Sequence, residues 1–313
     1  MRRAIAIALL SLGLAVTASA AEKLRVGTPE AQGFNFAILD AGIALGNYDK
    51  EGLAIERIDL GGGAKLHQAV NAGAVDLAIG GGTDLQFLVK GAPEKVVAAM
   101  GQSPANLAIV VKADSPYRSI ADLKGKKIGV STVGSLTSFM AMEASRRQGW
   151  GPNGMEILPL GGMTSNLAAL NTGTLDAISG SLEVGYVLED EGKLRFLLKG
   201  GEFVPEFLAS VIYAPDTTIA TRPEAIRHFL KAWFATVTYL HDHKAEAVPL
   251  MAKIMKMPPA IIGRIYDDEM PSFSLDGRFD PKAIAIVEEA LLGFHLIEQM
   301  PDNSKLFTTA FLP

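Results

Sequence analysis

Four hydroxyl side chains and one glycine cluster in the segment Ser131-Thr-Val-Gly-Ser-Leu-Thr137. This segment opens a predicted helix over residues 136–148, so its free backbone amides lie at a helix N-terminus. Hydroxyls and free amides together can donate several hydrogen bonds to one small polar ligand. The same hydroxyls can also cap the helix with no ligand present. The candidate ligand residues from this segment are Ser131, Thr132, Gly134, Ser135 and Thr137.

Further loops after predicted strands supply the remaining candidates, and several of these loops contain paired or tripled glycines that let backbone amides approach a ligand closely. Asp84 is expected to cap a helix, whereas Glu183 can accept a hydrogen bond from an amine or hydroxyl or can simply favour the first turn of its helix. Phe34 can form an aromatic wall, and Phe36 is expected to face the core. The candidates from these loops are Gln32, Gly33, Phe34, Gly62, Gly63, Gly82, Thr83, Gly162, Met163, Ser181 and Glu183.

The predicted ligand loops are six segments that follow strands, and they cover residues 30–34, 61–65, 80–84, 131–137, 161–166 and 180–183. They contain no arginine, and Lys65 is their only basic residue. A tightly held dianion would be expected to recruit a guanidinium group, which binds such anions in a bidentate manner. The loop composition therefore favours a ligand that is monoanionic or neutral and polar.

An internal repeat relates residues 61–80 to residues 161–180 at an offset of 100 with no gap. Seven of the twenty positions are identical, and the apolar positions stay in phase. The recurring residues are Gly61, Gly62, Ala69, Asn71, Gly73, Asp76 and Gly80, which return as Gly161, Gly162, Ala169, Asn171, Gly173, Asp176 and Gly180.

With the segments before it, each copy of the repeat has the order strand, helix, strand, helix, strand. This order predicts a mostly parallel sheet with helices on both faces. In such sheets the loops at the carboxyl ends of the strands form the binding crevice, so two facing lobes would enclose a ligand between them. The predicted strands cover residues 24–27, 53–58, 74–79, 127–130, 155–158 and 174–178, and the predicted helices 36–46, 62–71, 136–148 and 166–171.

The N-terminus has the order of a secretory signal peptide: Met1-Arg2-Arg3, an apolar run over residues 4–16, and then Ala18-Ser19-Ala20. Cleavage after Ala20 would release a 293-residue chain (313 minus 20) into the periplasm. The thirteen apolar residues are too few to span a bilayer.

Composition excludes several classes of function. The chain has no cysteine, so disulfides, thiolate metal sites and cysteine nucleophiles are absent. Loss of Arg2 and Arg3 changes the net charge from −5 to −7 (27 minus 34), which gives no electrostatic reason to bind nucleic acid or an anionic membrane. No metal or cofactor is predicted, because residues 241–243 and the methionines at 251, 255 and 257 fit helix ends and packed faces.

Several motifs resemble a known family. Leu24-Arg-Val-Gly27, residues 46–53 and residues 71–79 follow its first-lobe pattern, and Asp114-Ser-Pro-Tyr-Arg-Ser-Ile-Ala-Asp-Leu-Lys-Gly-Lys-Lys-Ile-Gly-Val130 follows the start of its second lobe. Over about residues 24–215 the chain resembles the nitrate/sulfonate/taurine and thiamine-precursor (NMT1/THI5-like) solute-binding proteins of ABC transporters. For residues 131–137 the resemblance implies an oxyanion ligand.

The resemblance implies a type II periplasmic-binding-protein fold in the α/β class, with each sheet mostly parallel and two crossovers near Lys112 and Tyr213. Lobe one would comprise residues 22–112 and 214–313, and lobe two residues 113–213. It also implies a monomeric, non-catalytic protein that delivers a small polar or anionic organic solute (a sulfonate, carboxylate or pyrimidine precursor) to an ABC permease. Two alternatives stay open: a sensory ligand-binding subunit, and an enzyme similar to pyrimidine-precursor synthases.

Overall fold

The computed structural model describes residues 21–31, 33–204 and 206–313. The predicted signal peptide and the candidate residue Gln32 lie outside the described residues. Within these residues, two five-stranded sheets are flanked by helices, which confirms the predicted two-lobed α/β fold. The strands are β1 (Glu22–Thr28), β2 (Leu53–Asp59), β3 (Leu77–Gly81), β4 (Glu94–Gly101), β5 (Leu107–Lys112), β6 (Lys127–Val130), β7 (Glu156–Pro159), β8 (Ala177–Ser181), β9 (Leu194–Lys199) and β10 (Ser210–Pro215).

The two sheets share one arrangement. Their strand orders are β2-β1-β3-β10-β4 and β7-β6-β8-β5-β9. In each sheet the first three strands are parallel, and the fourth runs antiparallel to both of its neighbours. Each antiparallel strand follows a crossover from the other sheet, so every lobe is completed by chain that arrives from its partner.

The crossovers lie between Gly101 and Leu107 and between Lys199 and Ser210, which differs from the predicted positions near Lys112 and Tyr213. The prediction assigned β5 to lobe one, but β5 pairs along its length with β8 and β9. Strand pairing between distant segments fixes this boundary, and no local motif marks it. We therefore take residues 21–101 and 210–313 as lobe one and residues 107–199 as lobe two.

The helices follow the predicted alternation, and the 100-residue offset persists in α3 and α6. The helices are α1 (Phe34–Ala44), α2 (Asn47–Lys50), α3 (Gly63–Asn71), α4 (Leu85–Val89), α5 (Leu136–Arg147), α6 (Met163–Asn171), α7 (Leu182–Asp190), α8 (Gly200–Phe203), α9 (Asp216–Thr221), α10 (Pro223–Asp242), α11 (Lys244–Met255), α12 (Pro259–Glu269), α13 (Pro281–Gly293) and α14 (Asn303–Leu306).

The repeated aspartates Asp76 and Asp176 have the same role in the two lobes. Each carboxylate accepts a backbone hydrogen bond from the first strand of its sheet, Asp76 from Arg25 at 2.8 Å and Asp176 from Lys127 at 2.9 Å. Each aspartate directly precedes a strand, β3 or β8, so its charge-assisted hydrogen bond ties the start of that strand to the adjacent β1 or β6. The repeat therefore preserves a feature of the fold at this position.

The C-terminal helices pack on lobe one. Helix α10 buries Phe229 and Trp233, and Phe229 stacks on Tyr48 of α2 with ring centroids 5.4 Å apart. Met251 is fully buried in the same core, and the 241–243 segment lies at an exposed helix end. None of the helices in the described residues is long and apolar enough to cross a membrane.

Candidate functional site

A cavity lies between the two lobes, at the carboxyl ends of β1 and β3 on one side and of β6 and β8 on the other. About 610 Å³ of space that is not filled by protein atoms lies within it, and this figure includes space open to solvent. Two further parts of the same space adjoin this main cavity. All three cavities are bordered by Glu30, Ser131 and Ser181. We call these three connected cavities the cleft. The cleft lies between the two lobes, and ligand binding there stays a prediction.

Many of the predicted site residues border the cleft, and they come from both lobes. Gly62 and Gly162, from the two copies of the repeat, border the same cavity. The predicted residues that border the cleft are Gly33, Gly62, Gly63, Ser131, Ser135, Thr137, Gly162, Met163, Ser181 and Glu183.

Three predicted residues of lobe one pack inside the protein instead. The Phe34 ring is fully buried and packs edge-on against Tyr266 at a centroid distance of 6.3 Å. Gly82 lies against the Leu208 carbonyl, where an added Cβ would sit 1.7 Å from the oxygen, so close packing explains this glycine. Thr83 is fully buried and is not among the residues that border the cleft.

Two predicted residues of lobe two face the other lobe directly. The carbonyl oxygen of Gly134 accepts a 2.7 Å hydrogen bond from Nε2 of Gln86 in lobe one. Thr132 lies opposite Gly62, since a Cβ added to that glycine would sit 3.3 Å from the Thr132 Cγ2. These two positions therefore belong to the contact between the lobes rather than to the wall of the cleft.

Other residues border the main cavity without having been predicted. Phe36, which was expected to face the core, is nearly buried but forms part of the wall. Asn106 and Ser210 lie at the ends of the two crossovers, so their position depends on strand pairing between distant segments. The unpredicted residues of the main cavity include Glu30, Asn35, Phe36, Asp84, Asn106 and Ser210.

The hydroxyls of the 131–137 loop form one hydrogen-bonded network. Ser131 Oγ lies 3.0 Å from both Ser135 Oγ and Thr137 Oγ1, and the latter two are 2.8 Å apart. Ser135 also caps α5, because its Oγ accepts a hydrogen bond from the Ser138 amide at 3.3 Å. The loop thus combines helix capping with a cleft wall of hydroxyl groups.

Glu183 of lobe two reaches into lobe one from the first turn of α7. Its carboxylate accepts hydrogen bonds of 2.6 Å from the Phe34 amide and from Ser181 Oγ, and the residue is 2% exposed. Glu269, at the end of α12, is buried beside it. Burial, followed by the charge of Glu183, raises the pKa of Glu269 well above its ordinary value.

Glu30 follows β1 and borders all three cavities of the cleft. Enclosure of its carboxyl by the protein raises its pKa to about 7, and the negative charge of Glu183 adds to the effect. Near neutral pH, a charge placed beside Glu30 therefore changes the protonation state of its carboxyl.

Asp84 borders the cleft and is held by a buried histidine. Its Oδ2 accepts the Gly81 amide at 3.0 Å and lies 3.3 Å from His67 Nε2, while His67 Nδ1 lies 2.6 Å from Glu94 Oε1. Burial alone would lower the pKa of His67, but the hydrogen bonds and charges of Asp84 and Glu94 outweigh it and raise this pKa to about 9. The charge of Asp84 is therefore compensated.

The charge of the cleft is one-sided. Glu30, Asp84 and Glu183 border it, and no lysine, arginine or histidine does so among the described residues. Within the described parts of the chain, no group of three or more histidine or acidic side chains is arranged to hold a metal ion. The cleft can thus bind a small organic molecule through hydroxyls, amides and carboxylates.

Comparison with known proteins relates the chain to solute-binding proteins. The model of the family described as NMT1/THI5 like matches residues 33–247. A putative aliphatic sulfonates-binding protein of Escherichia coli (strain K12) is 24% identical over 225 residues, which cover 70% of this chain and 67% of that protein. The alkanesulfonate-binding protein SsuA from Xanthomonas axonopodis pv. citri, solved with MOPS bound, superimposes with a TM-score of 0.77 at 20% identity, covering 91% of this chain and 96% of its own.

An enzyme also shares the fold. The desulfurization enzyme DszB superimposes with a TM-score of 0.66 at 16% identity, covering 93% of this chain and 97% of its own. At such identity the likeness concerns the fold alone, so the function of this chain must be argued from its site.

Proposed function

The chain belongs to the NMT1/THI5-like family, and we propose that it is an extracytoplasmic solute-binding protein that captures a small polar or anionic organic solute between its lobes and delivers it to an ABC permease. The observation that carries this proposal is the cleft, whose walls come from both lobes. Glu30 and Gly62 border one side, and Ser131, Gly162 and Ser181 border the other. A solute that contacts both walls binds the closed arrangement best and shifts the lobes toward it.

The relatives support this function and widen the choice of solute. The curated relative and the superimposable alkanesulfonate-binding protein are both named for sulfonates. The cleft offers hydroxyls and backbone amides, which bind oxygen-rich groups, but it also offers carboxylates, which repel anions. The function we propose is therefore solute capture, with the sulfonate class as one set of solutes to test.

We further propose that the chain has no catalytic role. The cleft lacks cysteine, because the chain contains none, and no histidine borders it among the described residues. The hydroxyls of Ser131, Ser135 and Thr137 bond to one another, and the Ser181 hydroxyl donates to the Glu183 carboxylate, so no serine–histidine pair borders the cleft among the described residues. Binding in this cleft leaves the solute chemically unchanged.

Isothermal titration calorimetry with a cleft-filling variant tests the proposal. Gly162 is exposed, has ordinary extended backbone angles and has open space where a Cβ would be, so Gly162→Trp can place an indole in the cleft without strain. The solutes are alkanesulfonates, MOPS, aromatic carboxylates and the amines described below. We expect at least one of them to bind at a 1:1 ratio to the wild type and not to Gly162→Trp.

The matched control is Ala168→Trp, an exposed position on α6 that is not among the cleft residues. It should bind the same solute as tightly as the wild type does. Equal affinity in Gly162→Trp, or no binding by any solute of the panel, would contradict capture in this cleft.

A further inference from the structure

The two carboxylates at the centre of the cleft have no compensating cation. Asp84 is paired with the buried His67, whereas Glu30 and Glu183 make no ion pair with any basic side chain of the described residues. Glu183 is held by hydrogen bonds from Phe34 N and Ser181 Oγ, and the buried carboxyl of Glu269 also lies against it. Its charge is therefore held in place and directed at the cavity that Glu30 borders from the other lobe.

An unpartnered buried amide points independently to a ligand at this place. Asn35 borders the main cavity and is 3% exposed, yet neither Oδ1 nor Nδ2 has a hydrogen-bond partner. The same holds for Ser179 Oγ and Asn166 Oδ1, which border the inner end of the cleft. A buried polar group without a partner is costly, so these side chains favour a ligand with hydrogen-bonding groups of its own.

We propose, building on the solute-binding function above, that the solute carries a protonated nitrogen, which lies between Glu30 and Glu183 and within reach of Asn35. An ammonium or amidinium group would replace the repulsion between the two carboxylates by attraction to both. A solute whose only polar group is an anion would add a third negative charge to the same space. The carboxylates thus select among solutes by charge.

The surroundings of Glu30 determine how binding responds to pH. Since a nearby cation favours the charged form of a carboxyl, a cationic solute would lower the pKa of Glu30 from about 7 and release its proton. An anionic solute would have the opposite effect. The titratable or charged groups that face Glu30 or its neighbours are Glu183 on α7, Glu269 on α12, Asp84 with its partner His67, and Arg57, which donates to the Glu30 carbonyl oxygen at 2.9 Å.

Two series of solutes, each built on one carbon skeleton, test the proposal. The alkyl members are propane-1-sulfonate, 3-aminopropane-1-sulfonate and 1,3-diaminopropane, and the aromatic members are phenylmethanesulfonate and benzylamine. The melting temperature of residues 21–313 is measured with each of them, because a solute that binds the folded state raises it. We expect members with an ammonium group to raise the melting temperature and the plain sulfonate of the same skeleton to leave it unchanged.

The dissociation constant of the best amine is then measured between pH 6 and pH 8. With a pKa of about 7, roughly a tenth of Glu30 is ionised at pH 6, so binding should be about tenfold weaker there than at pH 8. Glu30→Gln should abolish this pH dependence and weaken binding at pH 8. The control Glu56→Gln, an exposed carboxylate of lobe one, should leave both unchanged.

Tighter binding by the plain sulfonate than by its amino counterpart, or an affinity that falls as pH rises, would overturn the proposed charge preference while leaving solute capture intact. An amine that binds Glu30→Gln and the wild type equally would also overturn it. If no member of either skeleton raises the melting temperature, and no sulfonate or carboxylate of the wider panel does so, the result contradicts solute capture itself.

Discussion

The carboxylate of Glu183, in the second lobe, accepts a 2.6 Å hydrogen bond from the backbone amide of Phe34, at the start of α1 in the first lobe. The Phe34 ring is anchored in the core of its own lobe against Tyr266 and Phe273. One residue of lobe two therefore borders the cleft and binds the opposite lobe at the same time. The same carboxylate can therefore contact a ligand and hold the two lobes together, so ligand binding is coupled to lobe closure.

The hydroxyl groups of the 131–137 loop should contribute directly to the affinity for the solute. In the double variant Ser131→Ala/Thr137→Ala, two hydroxyls of the cleft wall are lost while the Ser135 cap of α5 is kept. At about 1 kcal/mol for each lost hydrogen bond, binding of the solute found by calorimetry should weaken roughly thirtyfold. Thr172→Ala, an exposed hydroxyl of the same lobe, is the control and should bind normally. Unchanged affinity in the double variant would remove this loop from the binding site.

Glu30 should destabilise the solute-free protein as pH rises. Its pKa is raised to about 7 in the folded state, so between about pH 4.5 and 7 the folded protein binds more protons than the unfolded chain does. The free energy of unfolding should therefore fall over this range relative to that of Glu30→Gln. Urea unfolding of both proteins at several pH values measures the difference. A difference that does not change with pH would show that Glu30 titrates normally.

His67 should stabilise the protein at neutral pH. Because its folded-state pKa is raised to about 9, its contribution is fully present below about pH 6.5 and is lost as pH rises through about 9. The wild type should lose unfolding free energy over this window, and His67→Gln should show a flatter profile. An NMR titration of the His67 ring gives the pKa without a variant. A midpoint near 6.5 would contradict the arrangement with Asp84 and Glu94.

The contact between α12 and α7 should bias the lobes toward closure. Arg264 of lobe one lies 2.7 Å from both Glu189 and Asp190 of lobe two, and these side chains are partly exposed. Partly exposed pairs contribute about 0–1 kcal/mol and are screened by salt. Arg264→Ala should therefore weaken solute binding about two- to fivefold at low salt and less at 1 M salt. Arg278→Ala, whose ion pair stays within lobe one, is the control. A loss that high salt does not reduce would argue against an ionic role.

Much of the fold could be predicted from the sequence, because short-range patterns define the repeated elements. Helix α3 and strand β3 recur as α6 and β8 at the same offset of 100, as predicted, since short-range glycine and apolar patterns define them. The predicted crossover positions differ from those in the structure because the partners of β5 and β10 lie far away in the chain, where no periodicity indicates them.

Part of the lining of the cleft could be predicted, because loops that follow strands supply it. Ser131, Ser181 and Glu183 border the cleft as expected, whereas Phe34 and Phe36 exchanged their expected roles. A shift of two residues at the start of a helix turns a side chain from the core to a cavity, and composition cannot resolve it.

The most direct test of solute capture measures the distance between the lobes. Because the chain has no cysteine, Lys65→Cys in α3 and Ser165→Cys in α6, both exposed, create a unique pair of labelling sites on either side of the cleft. Double electron–electron resonance of spin labels at these sites is recorded with and without the solute that raises the melting temperature most. Solute should make the distance distribution shorter and narrower in the wild type and in the Ala168→Trp background, and should leave it unchanged in Gly162→Trp. A distance distribution that stays unchanged at saturating solute would contradict capture by closure of the two lobes.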